Sequence, residues 1–191
     1  EDFTNGLGEI IKYHFMVDET TFAFLQRYLA SGDLRARVHL EPIMRSSLEI
    51  KHTYIVDDEF DTGRRNLLNY GHSFAHALEA GSDFAIPHGG AVILGMGLAN
   101  LLSRKRGILP QWEYDRMEDV LRAHDPAFDY ACMSTDMLIA HLKRDKKRVG
   151  TDLTLILCRG IGKQEKCTDV SPVEVAEAYQ EFARRHAAVP R

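Results

Sequence analysis

The stretch NYGHSFAHALE, residues 69–79, combines two histidines four residues apart with a glutamate three residues further on. On a helix, His72, His76 and Glu79 would share one face, where imidazole and carboxylate groups could bind a metal ion or move a proton. Glu79 could equally be a helix-face residue that bonds a histidine or a lysine. The HExxH pattern of zinc proteases is absent, because Ser73 follows His72. The stretch therefore predicts a site that handles metals or protons, but not a protease of that kind.

A divalent cation needs several lone-pair donors that converge within roughly 2.0–2.2 Å of it. The candidate donors are Glu9 in GLGEIIKY, the pair His72 and His76, and His88 in PHGG. A lone histidine is more often a surface residue or a hydrogen-bonded core residue, but here three histidines lie in one short region with Asn69. The residues alone leave open which of the histidines would hold a metal.

Basic residues recur around these candidate ligands and suit an anionic substrate. Lys12 lies three residues after Glu9, on the same face of a predicted helix. Lysine and arginine bind carboxylate and phosphate groups through charge-assisted hydrogen bonds. The other basic residues that could join Lys12 are Lys51, Arg64, Arg65, Lys146 and Lys147. Each of them taken singly is better explained as a solvated surface charge, so a substrate site needs them to converge.

Composition and charge restrict the class of protein. The chain has 191 residues, 45% of them hydrophobic and 27% charged, which suggests one domain, and its net charge of -4 gives no basic surface for nucleic acid. No apolar run reaches membrane-spanning length, and no signal-peptide pattern opens the chain. Three widely spaced cysteines outside any CxxC pair fit reduced thiols, so we expect a cytoplasmic protein. Neither a dinucleotide-binding GxGxxG nor a P-loop motif is present in the right context.

Apolar periodicity predicts a mainly helical domain. The predicted helices run from about Asn5 to Leu29, from about Leu34 to Val56 with a fresh start at Pro42, over NLLNYGHSFAHALEA, from Pro87 through GGAVILGMGLANLLSRK, from Pro110 to about Ala123, from an N-cap at Ser134 to LKRDKK, and from the capping box SPVE to about His186. The β-rich TDLTLILC and the following KQEKCTDV predict a hairpin. The sequence therefore predicts a multi-helix domain with a small β hairpin.

Several of these motifs occur together in one known family. NGLGEIIKY, DEFDTGRRNLLNYGHSFAHALE, PHGGAVILGM and RDKK stand in the order and spacing of the C-terminal part of 3-dehydroquinate synthase, a sugar-phosphate cyclase, and the chain resembles that part over nearly its whole length. The family combines an N-terminal α/β domain that binds NAD with a mainly helical C-terminal domain. The resemblance implies that residues 1–191 form the C-terminal domain and that the NAD-binding domain is absent from this chain. We therefore expect no turnover by the chain alone.

The resemblance also implies which residues bind the metal. Glu9, His72 and His88 would ligate a divalent cation, Zn²⁺ or Co²⁺, whereas His76 would be a catalytic residue that contacts the substrate. The remaining residues that match catalytic and substrate-binding positions are Lys12, Lys51, Arg65 and Asn69. One lysine of the pair Lys146 and Lys147 would also contact the substrate, with Lys146 favoured.

The matched positions imply how the substrate would lie. Lys51 and Arg65 would be near its carboxylate, whereas Asn69 and His76 would be nearer its phosphate. Asp61 matches an acidic position that supports this cluster. The resemblance therefore implies a small anionic sugar-phosphate substrate, and the family forms homodimers.

The implied reaction converts the seven-carbon keto-acid sugar phosphate DAHP to 3-dehydroquinate and phosphate, a step of the shikimate pathway. NAD would transiently oxidise a ring hydroxyl, the new ketone would acidify the neighbouring C–H, and phosphate would leave by β-elimination. The hydride would then return, the ring would open, and an aldol step would close the carbocycle.

The chain departs from the family pattern at three positions. Gly90 stands where the family usually has glutamate, Gly8 where it usually has alanine, and His14 where it usually has a small residue. Gly90 removes a charge beside a predicted ligand and could indicate a cyclase with a different substrate. Arg65 and Asn69 instead favour a substrate that carries a carboxylate.

Three alternatives stay open at this stage. The first is another sugar-phosphate cyclase, of the amino-dehydroquinate, deoxy-inosose or valiolone type. The second is an iron-containing polyol dehydrogenase, which has a comparable two-domain plan but which LNYGHSFAHALE and the arginines argue against. The third is a non-catalytic helical interaction domain whose histidines are structural.

Overall fold

A computed structural model describes residues 2–56, 58, 63–144 and 152–187. Within these residues the chain forms eight α-helices, two short 3₁₀ helices and one antiparallel hairpin. The α-helices are α1 (Asp2–Phe15), α2 (Glu19–Leu29), α3 (Arg37–Val56), α4 (His72–Gly81), α5 (His88–Lys105), α6 (Gln111–Ala123), α7 (Thr135–Arg144) and α8 (Pro172–Ala187). The 3₁₀ helices cover Arg64–Asn69 and Tyr130–Cys132, and the strands are β1 (Leu153–Cys158) and β2 (Gln164–Val170). The prediction of a mainly helical domain with a small hairpin is confirmed, and none of the described helices is long and apolar enough to cross a membrane.

The prediction of one helix from about Asn5 to Leu29 is wrong, because α1 ends at Phe15 and α2 begins at Glu19. Asp18 causes the break by acting as the N-cap of α2. Its side chain accepts hydrogen bonds from the backbone N–H and from the hydroxyl of Thr21, both at 2.8 Å. The apolar periodicity continues across this break, so the pattern alone did not show it.

The turn of the hairpin holds the end of α1. The carbonyl oxygen of Phe15 accepts hydrogen bonds from the backbone N–H of Gly162 at 2.9 Å and from Nε2 of Gln164 at 3.0 Å. Gly162 has a φ of 72°, and a Cβ there would lie 2.0 Å from the carbonyl oxygen of Val17. The hairpin thus satisfies a carbonyl that the helix end leaves without an intrahelical partner, and it anchors α1.

The predicted fresh helix start at Pro42 is also wrong, because α3 continues unbroken through this residue. Pro42 is exposed in the second turn, where the missing N–H costs the helix one hydrogen bond without burying an unsatisfied group. The helix begins at Arg37 rather than near Leu34. The side chain of Asp33 accepts a hydrogen bond from the N–H of Ala36 and forms a turn before it.

The predicted helix over residues 66–80 consists of two elements. A 3₁₀ helix ends at Asn69, the chain turns at Tyr70 and Gly71, and α4 begins at His72. Gly71 has a φ of 78°, a left-handed conformation that favours glycine and ends the first element. His72 is therefore the first residue of a helix rather than a residue in its middle.

The remaining element predictions are confirmed. Oγ of Ser134 accepts a backbone N–H of α7 at 3.2 Å as its N-cap. Ser171 and Glu174 form the predicted capping box, with N–H···O distances of 2.9 and 3.3 Å. The end of LKRDKK falls in residues 145–151, which lie outside the described residues.

The central helix of the domain is α5. Every residue from Gly89 to Ser103 is buried, and α5 packs against α1, α4, α6, α8 and β1. Glycines bring backbones together at two of these contacts. A Cβ on Gly8 of α1 would lie 2.2 Å from the carbonyl oxygen of Gly89, and a Cβ on Gly95 would lie 2.1 Å from that of Gly71. Thus α5 fixes both α1 and the start of α4.

The contact between α1 and α5 can be tested with a control on the same helix. Gly8→Ala would place a methyl group against the carbonyl oxygen of Gly89, so we expect the free energy of unfolding to fall by about 1–3 kcal/mol. A Cβ at Gly6 meets no atom within 4 Å. Gly6→Ala should therefore stabilise the chain by up to about 1 kcal/mol through helix propensity. Urea unfolding followed by circular dichroism measures both, and equal stabilisation by the two substitutions would contradict the close contact.

Candidate metal centre

Three side chains from separate helices converge in the structure: Glu9 from α1, His72 from the start of α4, and His88 from the start of α5. One ligand atom from each lies within 4.8 Å of the others, and we refer to these residues as the candidate metal cluster. Oε1 of Glu9 lies 3.2 Å from Nε2 of His72 and 3.7 Å from Nε2 of His88. The structure thus brings together the three residues for which the resemblance implied a shared metal.

The carboxylate of Glu9 is charged and only partly satisfied. Its Oε2 forms an ion pair with Nζ of Lys12 at 2.8 Å, whereas Oε1 is buried and has no hydrogen bond within the described residues. Oε1 lies 3.2 Å from Nε2 of His72, but the two groups do not have hydrogen-bond geometry. Burial raises the pKa of Glu9, but the His72 ring and the Lys12 ammonium together lower it by more than burial raises it. The net pKa of Glu9 therefore lies well below the ordinary value of a glutamate. A buried charged oxygen beside two imidazole nitrogens is a donor set that fits a divalent cation such as zinc.

Each histidine of the candidate metal cluster places one ring nitrogen near a protein acceptor. Nδ1 of His88 lies 2.8 Å from Oε1 of Glu79, and Nδ1 of His72 lies 3.3 Å from the carbonyl oxygen of Tyr70. An acceptor at Nδ1 selects the tautomer that carries its proton there, which leaves the lone pair on Nε2. Both Nε2 atoms are the ones nearest Glu9, so both are suited to act as ligands.

Reasoning from the sequence placed Glu79 on one helix face with His72 and His76 and allowed it to bond a histidine or a lysine, but it did not identify His88 as that partner. Glu79 is buried and bonds His88, the first residue of α5. A signal was present, because Glu79 stands among small and apolar residues in HALEA, and a buried acid there requires a partner. His76 is exposed and borders the candidate metal cluster, with its ring centroid 5.7 Å from that of His72 and 6.4 Å from that of His88.

Two of the predicted substrate-binding cations lie close to Glu9. Lys12 is only 2% exposed, and burial together with nearby Lys51 lowers its pKa although the Glu9 carboxylate opposes this shift. Lys51 of α3 lines a cleft of about 510 Å³ together with Glu9 and Tyr13. Residues of α1 and α3 form the rest of this cleft, most of them apolar, including Leu48. The cleft therefore leads from the candidate metal cluster to a solvent-exposed cation.

The 3₁₀ helix before α4 carries the predicted substrate-binding residues Arg65 and Asn69, both half-buried. Asp58 holds the start of this helix, because its Oδ2 accepts hydrogen bonds from the N–H of Gly63 at 2.7 Å and of Arg65 at 3.0 Å. The resemblance gave the supporting acidic role to Asp61, which lies outside the described residues, and Asp58 was not considered. The other predicted site residues outside the described ranges are Lys146 and Lys147.

Packing accounts for two of the departures from the family pattern. His14 is buried, with Nδ1 2.7 Å from the carbonyl oxygen of Ile10 and Nε2 3.1 Å from Oγ of Ser46, so it joins α1 to α3. Gly90 lies against Pro126, and a Cβ there would be 3.1 Å from two ring carbons of this proline. A longer side chain at this position would have to displace Pro126.

Solved sugar-phosphate cyclases share this fold. The structure of 2-epi-5-epi-valiolone synthase from Streptomyces hygroscopicus subsp. jinggangensis 5008, with NAD⁺ and Zn²⁺ bound, matches with a TM-score of 0.82 at 28% identity and covers 95% of this chain and 51% of that one. A 2-deoxy-scyllo-inosose synthase structure matches with a TM-score of 0.81 at 20% identity and covers 93% of this chain and 51% of that one. The helical fold therefore places the chain in the structural class of the sugar-phosphate cyclases.

Sequence comparison identifies the family within this class. The family model described as 3-dehydroquinate synthase C-terminal matches residues 6–148. The 3-dehydroquinate synthase of Sulfurovum sp. (strain NBC37-1) is 32% identical over 182 residues, covering 95% of this chain and 51% of the relative. The 3-dehydroquinate synthase of Caulobacter vibrioides (strain NA1000 / CB15N) is 37% identical over 172 residues, covering 86% of this chain and 46% of that relative. The chain belongs to the 3-dehydroquinate synthase family, which confirms the resemblance, and it spans about half the length of the curated relatives it matches.

The contact between Glu79 and His88 generates a prediction about metal affinity. Glu79→Ala removes the acceptor at Nδ1 of His88, so we expect Zn²⁺ affinity to fall about 10- to 100-fold. Glu79→Gln keeps an oxygen acceptor and should lose less. Glu118→Ala removes an equally buried glutamate from α6, where it pairs with Arg122, and should leave the affinity unchanged. Competition with a chromophoric chelator measures all three, and an unchanged affinity in Glu79→Ala would contradict the orienting role.

Proposed function

We propose that this chain provides the metal- and substrate-binding part of a 3-dehydroquinate synthase, which converts DAHP to 3-dehydroquinate and phosphate. The observation that carries the proposal is the convergence of Glu9, His72 and His88 beside the Lys12 ammonium in a chain of this family. Membership of the family favours a cyclase over an iron-containing polyol dehydrogenase and over a non-catalytic helical domain.

Glu9, His72 and His88 would hold the divalent cation, because they offer two imidazole nitrogens and a carboxylate oxygen that has no hydrogen bond within the described residues. When bound, the cation would stabilise negative charge on substrate oxygens as a Lewis acid, and NAD would accept and return a hydride. The valiolone synthase structure, which is 28% identical to this chain and contains NAD⁺ and Zn²⁺, supports these two cofactors.

The basic residues would hold the substrate in one pose. Lys12 is anchored to Glu9, and Lys51 lines the cleft at the same carboxylate. Arg65 stands in the 3₁₀ helix that precedes α4, and a guanidinium group can bind a carboxylate through two parallel hydrogen bonds. Contacts to several points of DAHP would restrict it to the geometry that each step requires.

His76 would assist proton transfer during β-elimination, while Asn69 would donate hydrogen bonds to the phosphate. His76 is exposed and its ring lies beside those of His72 and His88. An imidazole exchanges protons near neutral pH, so it can help to move the proton from the carbon next to the new ketone. The electrons of that C–H bond form the double bond, and those of the C–O bond leave with phosphate.

Another sugar-phosphate cyclase is the second candidate, and the TM-score of 0.82 to the valiolone synthase favours it. Two observations support DAHP over such substrates. The curated relatives at 32% and 37% identity are 3-dehydroquinate synthases. Arg65 and Asn69 are also retained, as expected for a substrate with a carboxylate.

Turnover separates the two candidates. The complete gene product that contains this chain should release phosphate from DAHP in the presence of NAD and Zn²⁺. Its kcat/KM for DAHP should exceed that for sugar phosphates without a carboxylate by roughly 10³-fold or more. A substrate without a carboxylate would leave the basic side chains of the site without their anionic partner. A preference for a carboxylate-free sugar phosphate would overturn the DAHP proposal. The chain alone should bind Zn²⁺ without releasing phosphate.

Two substitutions on α3 test the role of the cleft in the same assay. Lys51→Met removes the cation that lines the cleft at Glu9, so kcat/KM for DAHP should fall about 10²-fold. Arg45→Met removes a surface cation that pairs with Glu41 and should leave kcat/KM nearly unchanged. Equal effects of the two substitutions would contradict a specific role for Lys51.

A further inference from the structure

A buried hydrogen bond connects α5 to the residue that precedes the turn into α4. The hydroxyl of Tyr70 donates to Oδ1 of Asn100, and both residues are fully buried. Asn100 lies on α5, the helix that begins with His88, and Tyr70 lies just before Gly71 and His72. The hydrogen bond therefore joins α5, which supplies His88, to the turn that leads into His72.

Asn100 depends on Tyr70 for its side-chain hydrogen bonding. Its Nδ2 has no hydrogen-bond partner among the residues that the structure describes, so within them the amide is satisfied only at Oδ1, by Tyr70. A buried amide that loses its partner costs more than the bond itself contributes, because its desolvation is then uncompensated. An apolar pair of the same shape would fill this site without that cost, so packing alone does not require this pair.

The backbone of Tyr70 transmits its position to His72. Its carbonyl oxygen lies 3.3 Å from Nδ1 of His72. The next residue, Gly71, is in the left-handed region and packs with its carbonyl oxygen against Gly95 of α5, where a Cβ would be 2.1 Å away. Tyr70 is thus held to α5 through its side chain while its main chain contacts the imidazole.

We propose that Tyr70 and Asn100 are positioning residues for His72, and that their hydrogen bond fixes the turn so that Nε2 of His72 faces Glu9 and His88. The proposal rests on the proposed function, since His72 is positioned there as a metal ligand. A hydrogen bond restricts direction as well as distance, whereas apolar side chains can slide along each other. Through this bond, α5 sets the relative position of both imidazoles.

Shape-conserving substitutions separate positioning from stability. Tyr70→Phe removes the hydroxyl, Asn100→Leu removes the amide, and the double variant replaces the pair by an apolar contact of similar shape. Ser103→Ala is the control, because Ser103 is a fully buried polar residue of the same helix whose Oγ accepts the N–H of Cys158 instead. Three measurements are made on each variant. Co²⁺ titration gives the affinity and the visible spectrum of the bound ion, urea unfolding gives the stability, and NMR of the metal-free chain gives the ¹⁵N shifts of the His72 ring.

Tyr70→Phe should lower the urea midpoint, weaken Co²⁺ binding between about 3- and 30-fold, and shift the Co²⁺ spectrum. The double variant should recover most of the urea midpoint, because no buried amide is left unpaired, but neither the affinity nor the spectrum. Ser103→Ala should lower the midpoint without changing Co²⁺ binding.

If the double variant has the same Co²⁺ affinity, Co²⁺ spectrum and His72 ring shifts as the unsubstituted chain, the positioning role is overturned. The proposed function is left intact by that result. Failure of the unsubstituted chain to bind Co²⁺ would overturn the metal site of the proposed function. The His72 shifts of the metal-free chain would then decide the positioning role separately, since unchanged shifts in Tyr70→Phe would overturn it and changed shifts would support it.

Discussion

The backbone of α1 contacts the backbone of α5 at Gly8 and Gly89, and the turn before α4 contacts α5 at Gly71 and Gly95. A Cβ at Gly8 would lie 2.2 Å from a carbonyl oxygen, and a Cβ at Gly95 would lie 2.1 Å from one. The backbones can therefore come this close only because both residues lack a side chain. The candidate metal cluster depends on both contacts, because its members come from α1 and from the first residues of α4 and α5. The hairpin secures the arrangement from the other end by binding the last carbonyl of α1.

Electrostatics explains why such a cluster is suited to a cation and to an anionic substrate. A buried carboxylate oxygen is costly unless it is paired. Lys12 pairs with Oε2 of the partly buried Glu9 but leaves the buried Oε1 without a hydrogen bond within the described residues. A divalent cation bound at that oxygen would carry more positive charge than the single negative charge of Glu9 can neutralise. The two imidazoles add no negative charge, since they are neutral when they act as ligands. With Lys12 and Lys51 nearby, the site would then be positively charged and would attract a sugar phosphate.

The predictability of the fold differs between local and non-local features. The caps at Ser134 and Ser171 are read from neighbouring residues and were predicted correctly. The errors at Asp18 and Gly71 share one cause, because the apolar periodicity continues across both positions although the helix does not. The error at Pro42 is the reverse, because α3 continues through a proline that the sequence suggested as a helix start. In the site, the residues alone left open which of His72, His76 and His88 would hold a metal, and the family pattern was needed to select His72 and His88. The sequence allowed Glu79 to bond a histidine, but it identified neither His88 as that histidine nor the contacts of Asp58, because these contacts join residues that no helical or strand period connects.

Zinc K-edge X-ray absorption of the chain with one equivalent of Zn²⁺ would show directly whether Glu9, His72 and His88 bind a shared ion. We expect stoichiometric binding and a first coordination shell of nitrogen and oxygen atoms at about 2.0–2.2 Å, with the multiple scattering of two imidazoles. Replacement of His72 or of His88 should remove one imidazole from that shell. Sulfur ligands at about 2.3 Å, a shell without imidazole, or no stoichiometric zinc would contradict the assignment of this cluster as the metal centre.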